Sequence, residues 1–285
     1  MTIEYLLRDN AYSVEIFVLL SFLLKKSKGY LLAHKEQKLS HNQLKELSYW
    51  LDELKNDKPL AYILNNKDFY KESYFVDESV LIPRPETELM VELILTNLAK
   101  NADKNKVFNI LEIGTGSGCI PISIINNCLQ DLKIESIDVS KSALKTARKN
   151  KKNILPSEKR PQLKFINSDI FKSIPKNKFD IVISNPPYLS EFDYLKVSKG
   201  IRNYEPKTAL LAGDNGLAFY KRICGILPSI LKNDGQCYLE INSRLCDEIH
   251  AIFDNWDTKI YKDHSGLLRV ILITHMPYQS EQYSH

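Results

Sequence analysis

The segment Asn185-Pro186-Pro187-Tyr188 combines residue types that can hold a planar amide or amino group. Asn185 offers a side-chain oxygen as a hydrogen-bond acceptor, and Pro186 offers a backbone carbonyl in a rigid stretch of chain. These two acceptors could bind both N–H hydrogens while Tyr188 packs against the planar face. The lone pair of a poorly nucleophilic nitrogen would then point at the group to be transferred. We predict that all four residues bind the substrate and that Asn185 and Pro186 are catalytic; a structural proline-rich turn is the alternative.

A glycine-rich segment, Gly114-Thr115-Gly116-Ser117-Gly118, follows an apolar run predicted as a strand and precedes an apolar run predicted as a helix. Glycines in such a position let a ligand approach the main chain closely. The dinucleotide fingerprint Gly-x-Gly-x-x-Gly would require glycine at position 119, which is Cys119, and no Lys-Ser or Lys-Thr pair follows as in a P-loop. The segment therefore predicts an adenosyl ligand without a pyrophosphate, and a tight structural turn is the alternative.

Two carboxylates stand at the ends of the next two predicted strands. Asp138 lies where a carboxylate commonly meets ribose hydroxyls, although it could instead cap the following helix, a role that Ser140 could also fill. Asp169 could accept a hydrogen bond from an adenine amino group, and Ile170 beside it could cover the ring; a surface-loop aspartate is the alternative. We predict that Asp138, Asp169 and Ile170 bind the same cofactor as the glycine-rich segment.

Short β-rich runs alternate with helical stretches over the second half of the chain, which predicts a mostly parallel sheet. The turn-forming residues 263–266 lie between two further runs and predict a closing antiparallel hairpin. The fold class expected is α/β and Rossmann-like. The predicted strands are Val107–Ile113, Lys133–Val139, Leu163–Ser168, Phe179–Ser184, Gly235–Ile241, Thr258–Lys262 and Leu267–Ile273.

The sequence predicts three segments. Residues 1–75 carry leucines at helical spacing behind a candidate N-cap, Ser40, and are expected to form a small helical bundle that docks a protein substrate. Residues 76–106 form a linking segment with a rigid Pro-Arg-Pro-Glu stretch and a helix. Residues 107–285 form the catalytic domain that binds the cofactor.

The composition is that of an ordinary globular protein of 285 residues with a net charge of +4. The longest apolar run, Ile16–Leu24, is too short to span a bilayer, so we expect a cytoplasmic protein with no membrane partner. The cysteines are scattered without metal-ligand spacing, and no metal is expected. Between Lys141 and Lys164 nine basic residues accompany one acid. This stretch is typical of a solvated face, and a contact with an RNA-bound partner is the alternative.

The segment Ile82-Pro83-Arg84-Pro85-Glu86-Thr87-Glu88 resembles the signature of the peptide chain release factor glutamine N5-methyltransferases, which have a seven-stranded sheet. The segments 59–64, 204–206 and 213–217 agree with it. The resemblance implies S-adenosylmethionine as methyl donor, S-adenosylhomocysteine as product, and the glutamine of the Gly-Gly-Gln loop of class I release factors as substrate. It assigns the cofactor to Gly114–Gly118, Asp138, Ile170 and Asn185, and the glutamine to Asn185–Tyr188. A monomer that needs no direct nucleic-acid contact is expected.

The sequence departs from the family pattern at Asn65 and Asn242, where glycine is usual, and at Leu267-Leu268, where a polar pair is usual. These departures leave the docking surface less defined than the chemistry. A ribosomal-protein glutamine methyltransferase has the same loop but usually shows Pro-Arg-Ser-Pro where this chain has Pro-Arg-Pro-Glu. Two further functions compatible with the sequence are methylation of adenine or guanine amino groups, which would require flipping of the target base, and non-catalytic binding of the cofactor by an adaptor.

Overall fold

The computed structural model of the protein describes residues 1–8, 12–100 and 106–276. Residues 101–105 of the predicted linking segment and residues 277–285 of the predicted catalytic domain lie outside this range. The described residues divide into two compact units, one within residues 1–66 and 198–204, the other within residues 67–197 and 205–276. Among the described residues, no helix combines the length and the apolar character that crossing a bilayer requires.

The described part of the first unit is built from helices, with one isolated β-bridge between Thr2 and Lys38. Its helices are α1 (Ile3–Leu7), α2 (Ser13–Leu24), α3 (Lys28–Ala33), α4 (His41–Lys55), α5 (Leu60–Ile63) and α10 (Lys199–Tyr204). The long helix α4 begins behind a capping box in which the Ser40 hydroxyl accepts from the Gln43 N–H while the Gln43 side chain accepts from the Ser40 N–H. Ser40 is therefore the N-cap that the sequence predicts.

A separate apolar core holds the first unit together. Ile16, Leu19 and Leu20 of α2 are fully buried beside Leu47 and Trp50 of α4. The buried residues of α2 are three and four positions apart, which places their side chains on one side of the helix. The same segment that was too short for a membrane span is therefore a core helix.

The short helix α10 joins this unit through close backbone contact. The Tyr204 hydroxyl donates to the carbonyl of Asn56 at 3.1 Å. A Cβ atom on Gly200 would lie only 2.6 Å from the carbonyl oxygen of Asp57, so glycine is required for this approach. Residues 198–204 thus belong with a unit that is distant from them in sequence.

The second unit is built on a seven-stranded sheet. Its strands are β3 (Phe108–Ile113), β4 (Leu132–Asp138), β5 (Leu163–Asn167), β6 (Phe179–Ser184), β7 (Leu231–Glu240), β8 (Asp257–Lys262) and β9 (Leu268–Thr274). They lie in the order β5-β4-β3-β6-β7-β9-β8. The first five strands in that order are parallel, and β9 and β8 add an antiparallel hairpin at one edge. The predicted fold class is confirmed.

Helices cover both faces of this sheet. Successive residues of β3 belong to different core clusters, Ile110 to one and Leu111 to the other, because side chains alternate across a strand. The helices of this unit are α6 (Glu88–Lys100), α7 (Cys119–Asn127), α8 (Lys141–Ile154), α9 (Glu191–Lys196), α11 (Ala218–Ile230) and α12 (Cys246–Ile252). Five 3₁₀ turns complete it: Pro85–Thr87, Arg160–Gln162, Lys207–Ala209, Asp214–Gly216 and Ser243–Leu245.

The boundary at residue 75 predicted from the sequence differs from the structure. Residues 67–74, assigned by the sequence to the helical segment, form a small hairpin of β1 (Lys67–Phe69) and β2 (Glu72–Tyr74). Phe69 and Tyr74 are buried in a core cluster of the second unit, and the Tyr74 hydroxyl contacts Ser123 of α7 at 2.7 Å. The burial of these two aromatic rings associates the hairpin with the second unit. The local sequence pattern does not reveal this burial.

Candidate active site

A cleft of about 1080 Å³ opens where the chain leaves the carboxyl ends of β3, β4, β5 and β6. Strand order reverses at β3, and such a switch point is where parallel sheets form ligand sites. Ten of the twelve predicted site residues line this cleft: Gly114, Thr115, Gly116, Ser117, Asp138, Asp169, Ile170, Asn185, Pro186 and Pro187. Gly118 and Tyr188 do not.

Backbone N–H groups of the glycine-rich loop after β3 are already hydrogen-bonded within the protein. The N–H groups of Gly114 and Thr115 both donate to the carbonyl of Ile137, at 2.8 and 3.2 Å. The N–H of Gly118 donates to the carbonyl of Thr115 at 2.8 Å. A phosphate group needs such donors free. The loop is therefore suited to a ligand without phosphates.

Positive φ angles explain why glycine occupies three positions of this loop. Gly114 and Gly116 have φ of +82° and +53°, and a Cβ atom on either would meet no heavy atom within 4 Å. Gly118 has φ of +78°, and its Cβ would lie 3.1 Å from Ile122 and 3.3 Å from Ala147. Gly114 and Gly116 shape the wall of the cleft, whereas Gly118 allows close packing beneath it.

Asp138 is fixed by two backbone groups. Its Oδ2 accepts from the N–H of Gly116 at 2.9 Å, and its Oδ1 accepts from the N–H of Ser140 at 2.8 Å. The helix cap of α8 is Ser140, whose hydroxyl accepts from the Ala143 N–H at 3.1 Å. Burial raises the pKa of Asp138, and the two N–H groups oppose that shift. Each oxygen keeps a second lone pair, so the carboxylate could also accept from two vicinal hydroxyls.

Asp169 lies at the opening of the loop that follows β5. Its Oδ1 accepts from the N–H of Phe171 at 2.9 Å, and its other oxygen lies 3.5 Å from the Lys172 ammonium. Asp169 is thus held by its own loop and also lines the cleft.

An apolar slot adjoins Asp169. Ile170 is buried, and its carbonyl accepts from the Arg222 guanidinium at 2.8 Å. Phe171 and Phe219 meet edge to face with ring centroids 5.0 Å apart, and both line the cleft. The sequence analysis missed both rings. Phe171 was detectable from its place beside Ile170, whereas Phe219 comes from α11, and no local signal marks it.

Asn185 begins the loop after β6 and turns its amide nitrogen into the protein. The preceding Ser184 anchors the strand end, because its hydroxyl donates to the carbonyl of Ile113 at 2.8 Å. The Asn185 Nδ2 donates to the Thr87 hydroxyl at 3.2 Å, and Thr87 donates to the Glu240 carboxylate at 2.6 Å. The side-chain oxygen of Asn185 is therefore the branch of the amide left for the cleft. Sequence analysis proposed no role for Thr87 or Glu240.

Tyr188 packs against the core cluster that contains Leu111, outside the lining of the cleft. Burial raises the pKa of Tyr188 to about 12, and the nearby Glu240 charge acts in the same direction, against Arg269 and Arg84. Its predicted contact with the substrate stays a prediction.

The Pro-Arg-Pro-Glu segment is held by an ion pair between the partly exposed Arg84 and the buried Glu205. Arg84 lies 2.5 Å from the carboxylate of Glu205, and the other oxygen of Glu205 accepts from the Ile82 N–H at 3.2 Å. Arg84 and Pro206 both line the cleft. The two segments singled out for their resemblance, 82–88 and 204–206, thus meet through this pair at one wall.

Glu112 is a further buried carboxylate beneath the glycine-rich loop. Its side chain is 1% exposed, and burial raises its pKa to about 8. The hydroxyls of Thr115 and Ser136 oppose that rise, and the Asp138 charge adds to it. Sequence analysis gave it no role.

The seven-stranded sheet, its closing hairpin and the cleft beside β3 define a Rossmann-like methyltransferase. Residues 87–200 match the family model Methyltransferase small domain, and residues 5–64 match PrmC N-terminal domain. The catalytic domain of hMettl16, solved in complex with the MAT2A 3′UTR hairpin 6, shares the fold at a TM-score of 0.52. It is 18% identical and aligns over 72% of this chain and 76% of that one.

Relatives with known names cover most of this sequence. A release factor glutamine methyltransferase of Flavobacterium psychrophilum is 39% identical over 83% of this chain and 82% of its own length. Another, of Leptospira interrogans, is 37% identical over 90% of this chain and 89% of its own length. The chain belongs to the release factor glutamine methyltransferase family. It is also 34% identical to a bifunctional methyltransferase of Rickettsia bellii, of which it spans about half the length, 47%.

Proposed function

We propose that this protein transfers a methyl group from S-adenosylmethionine to the side-chain amide nitrogen of the glutamine in the Gly-Gly-Gln loop of class I peptide chain release factors. Membership of the family supports the substrate. The observation that carries the chemistry is the orientation of Asn185, whose amide nitrogen is engaged by Thr87 and whose oxygen is left for the cleft.

The part of the cleft formed by residues 114–117, Asp138, Asp169 and Ile170, here called the donor end, fits an adenosyl group. Asp138 would accept from the ribose hydroxyls, and the slot of Ile170, Phe171 and Phe219 would enclose the adenine. The internally bonded glycine loop fits a ligand that has no phosphate. When bound, the cofactor supplies a methyl group on a positively charged sulfur that is its own leaving group.

The part of the cleft formed by Asn185–Pro187, here called the transfer end, fits a primary amide. The Asn185 Oδ1 and the Pro186 carbonyl would each accept one N–H of the glutamine. An amide lone pair is delocalised, and two fixed acceptors would direct it at the methyl carbon and stabilise positive charge that grows on nitrogen. The bound cofactor would supply the methyl group to this nitrogen and leave as S-adenosylhomocysteine, and the methylated nitrogen would release one proton to water.

The first unit is proposed to dock the release factor. It has its own core, and the residues that line the cleft all come from the second unit. Because one chain supplies the whole lining, we propose that the monomer is active. A component of translation as substrate places the reaction in the cytoplasm, with no direct nucleic-acid contact required.

The direct test is methyl transfer from labelled S-adenosylmethionine to a purified class I release factor, with the modified residue located by peptide mass. We expect a single methyl group on the Gly-Gly-Gln glutamine. A matched release factor with that glutamine replaced by alanine should take up no label.

Three other results would each favour one of the alternative functions. Label on a ribosomal protein but not on the release factor would favour a ribosomal-protein glutamine methyltransferase. Label on RNA or DNA would favour a base methyltransferase. Cofactor binding without transfer to any of these would favour the adaptor.

The docking role of the first unit has its own test. A protein that lacks residues 1–66 should still bind S-adenosylmethionine and methylate a short Gly-Gly-Gln peptide, yet methylate the intact release factor poorly. Equal activity on the intact factor with and without these residues would contradict that role.

A further inference from the structure

Two residues from separate segments, Thr87 and Glu240, converge behind the Asn185 amide. Strands β6 and β7 are parallel, and Ser184 lies opposite Leu239, so the next residues, Asn185 and Glu240, leave the two strands side by side. The 3₁₀ turn Pro85–Thr87 then brings the Thr87 hydroxyl to within 2.6 Å of Glu240 and 3.2 Å of Asn185. Thr87 and Glu240 are 3% and 2% exposed.

The hydrogen bonds in this group have a defined direction. An ionised carboxylate only accepts, so the Thr87 hydroxyl must donate its hydrogen to Glu240. The Thr87 oxygen is then free to accept from an Asn185 N–H, and the nearby Asn185 amide favours the ionised form of Glu240 by lowering its pKa. Thr87 acts as an acceptor toward Asn185, and the ionised Glu240 behind it favours a donor on that side, so the NH₂ branch must face them and the oxygen branch must face away.

We propose that Thr87 and Glu240 are positioning residues that fix the Asn185 amide with its oxygen toward the substrate amide. This inference rests on the proposed function. If the Asn185 amide were rotated by half a turn, it would present N–H donors to the N–H groups of the glutamine. That arrangement would repel the substrate amide where the proposed chemistry needs an acceptor.

Charges from several elements surround Glu240. Arg269 of β9 favours its ionised form, and Glu86 of the 3₁₀ turn disfavours it. Tyr188 and Tyr220 are close enough for the Glu240 charge to raise their pKa values, and the Tyr220 hydroxyl donates to the Glu240 backbone carbonyl at 2.9 Å.

Protonation of Glu240 would remove this directional constraint. Burial raises the pKa of Glu240 to about 7, against the hydrogen bond from Thr87 and the charge of Arg269. A protonated carboxyl can donate to the Thr87 oxygen, and Thr87 can then donate to the Asn185 oxygen. The reversed chain would favour the rotated amide, so methyl transfer should decline as the pH falls below about 7.

The test compares kcat and KM for the release factor at saturating S-adenosylmethionine between pH 6 and 9. Thr87→Val and Glu240→Gln should lower kcat by about ten- to a hundredfold at high pH, the size expected for losing a hydrogen bond to a charged group, with little change in KM. Thr87→Ser, which restores the hydroxyl, should recover most of the rate. The wild-type decline in kcat below about pH 7 should be absent in Glu240→Gln.

Ser123→Ala is the matched control, since it removes a similarly buried hydroxyl bond, to Tyr74 at 2.7 Å, away from the cleft. It should lower thermal stability and leave kcat and the pH profile unchanged. Calorimetry of cofactor binding verifies that each variant is folded. If Glu240→Gln is not folded, the comparison of Thr87→Val with Thr87→Ser tests the proposal.

The outcomes separate the two levels of the proposal. No methyl transfer by the wild type to the glutamine would overturn the proposed function itself. An active wild type with Thr87→Val at the parent kcat, or with Thr87→Ser as slow as Thr87→Val, would overturn only the positioning role. A Glu240→Gln profile that keeps the wild-type pH step would also overturn it.

Discussion

At the donor end the polar groups of the cleft are bonded mainly to backbone, whereas at the transfer end they are bonded to one another through side chains. Asp138 is held by two backbone N–H groups, one from its own loop and one from the glycine-rich loop. Asn185 is held by Thr87, which is held in turn by Glu240, and both partners come from distant parts of the chain. The donor end is thus a feature of local chain geometry, and the transfer end depends on how separate strands and turns are assembled.

This difference has a chemical reason under the proposed function. The donor end has to bind the adenosyl part of the cofactor, which does not change during methyl transfer, so fixed acceptors suffice. The transfer end has to stabilise charge that exists only during transfer, which requires an acceptor with one defined orientation. Substitutions at the donor end should therefore change affinity, and substitutions at the transfer end should change rate.

Asn185→Ala should have the largest effect on methyl transfer. Loss of one preorganised hydrogen bond to developing charge typically lowers the rate by about 10²–10³-fold. The measurement is kcat with the release factor at saturating S-adenosylmethionine, with donor affinity determined separately by calorimetry, because Asn185 also lies beside the donor end. A parent-like kcat would mean that the Asn-Pro-Pro-Tyr loop is a structural turn.

Asn185→Asp sharpens the same prediction. The carboxylate is nearly isosteric and can still accept from the glutamine N–H, but it adds a charge close to Glu240 and cannot donate to Thr87. We expect partial activity, above that of the alanine variant. Activity in Asn185→Asp below that of Asn185→Ala would show that the acceptor matters less than the electrostatic balance of the buried group.

Asp138→Ala should weaken S-adenosylmethionine binding by about tenfold or more, because hydrogen bonds to a charged group contribute roughly 1.5–3 kcal/mol. Calorimetric titration measures the affinity, and kcat at saturating donor should stay near the parent value. Asp169→Ala is the natural comparison, since its carboxylate is anchored by the N–H of Phe171 in its own loop. Unchanged affinity in Asp138→Ala would remove Asp138 from the cofactor site.

Gly118→Ala should have the smallest effect on transfer, acting through stability alone. A positive φ costs an alanine about 1–2 kcal/mol, and the contacts at 3.1 and 3.3 Å with Ile122 and Ala147 add a further cost. Gly266→Ala is the matched control, because Gly266 has a similar φ of +80° with no heavy atom near the Cβ position. The free energy of unfolding should fall more for Gly118→Ala than for Gly266→Ala. Equal losses of unfolding free energy would show that the neighbours of Gly118 can accommodate a methyl group without a loss of stability.

Much of the fold and of the donor end followed from the sequence because the signals are local. Alternating β-rich and helical runs predict parallel strands, and residues that follow successive strands must gather at one edge of the sheet. Gly114, Asp138, Asp169 and Asn185 were placed together in this way, and the structure brings them to one cleft.

The boundary near residue 75 and the partners of Asn185 did not follow from the sequence. The hairpin 67–74 has too short a pattern to separate from its helical neighbours, and only the burial of Phe69 and Tyr74 associates it with the sheet unit. Thr87 lies in the segment 82–88 that carries the family resemblance, and Phe219 lies in α11, but no local pattern shows that either side chain lines the cleft.

The sequence by itself determined which backbone conformations the loops adopt and which residue types stand at the strand ends, because both depend on neighbours along the chain. Only the tertiary structure decided which side chains face one another across those ends. The register of β6 against β7 places Asn185 beside Glu240, and the packing of the Pro85–Thr87 turn places a hydroxyl against both. Residues 87, 185 and 240 are far apart in the chain, so the direction of the hydrogen bonds that orient Asn185 exists only once the sheet has formed.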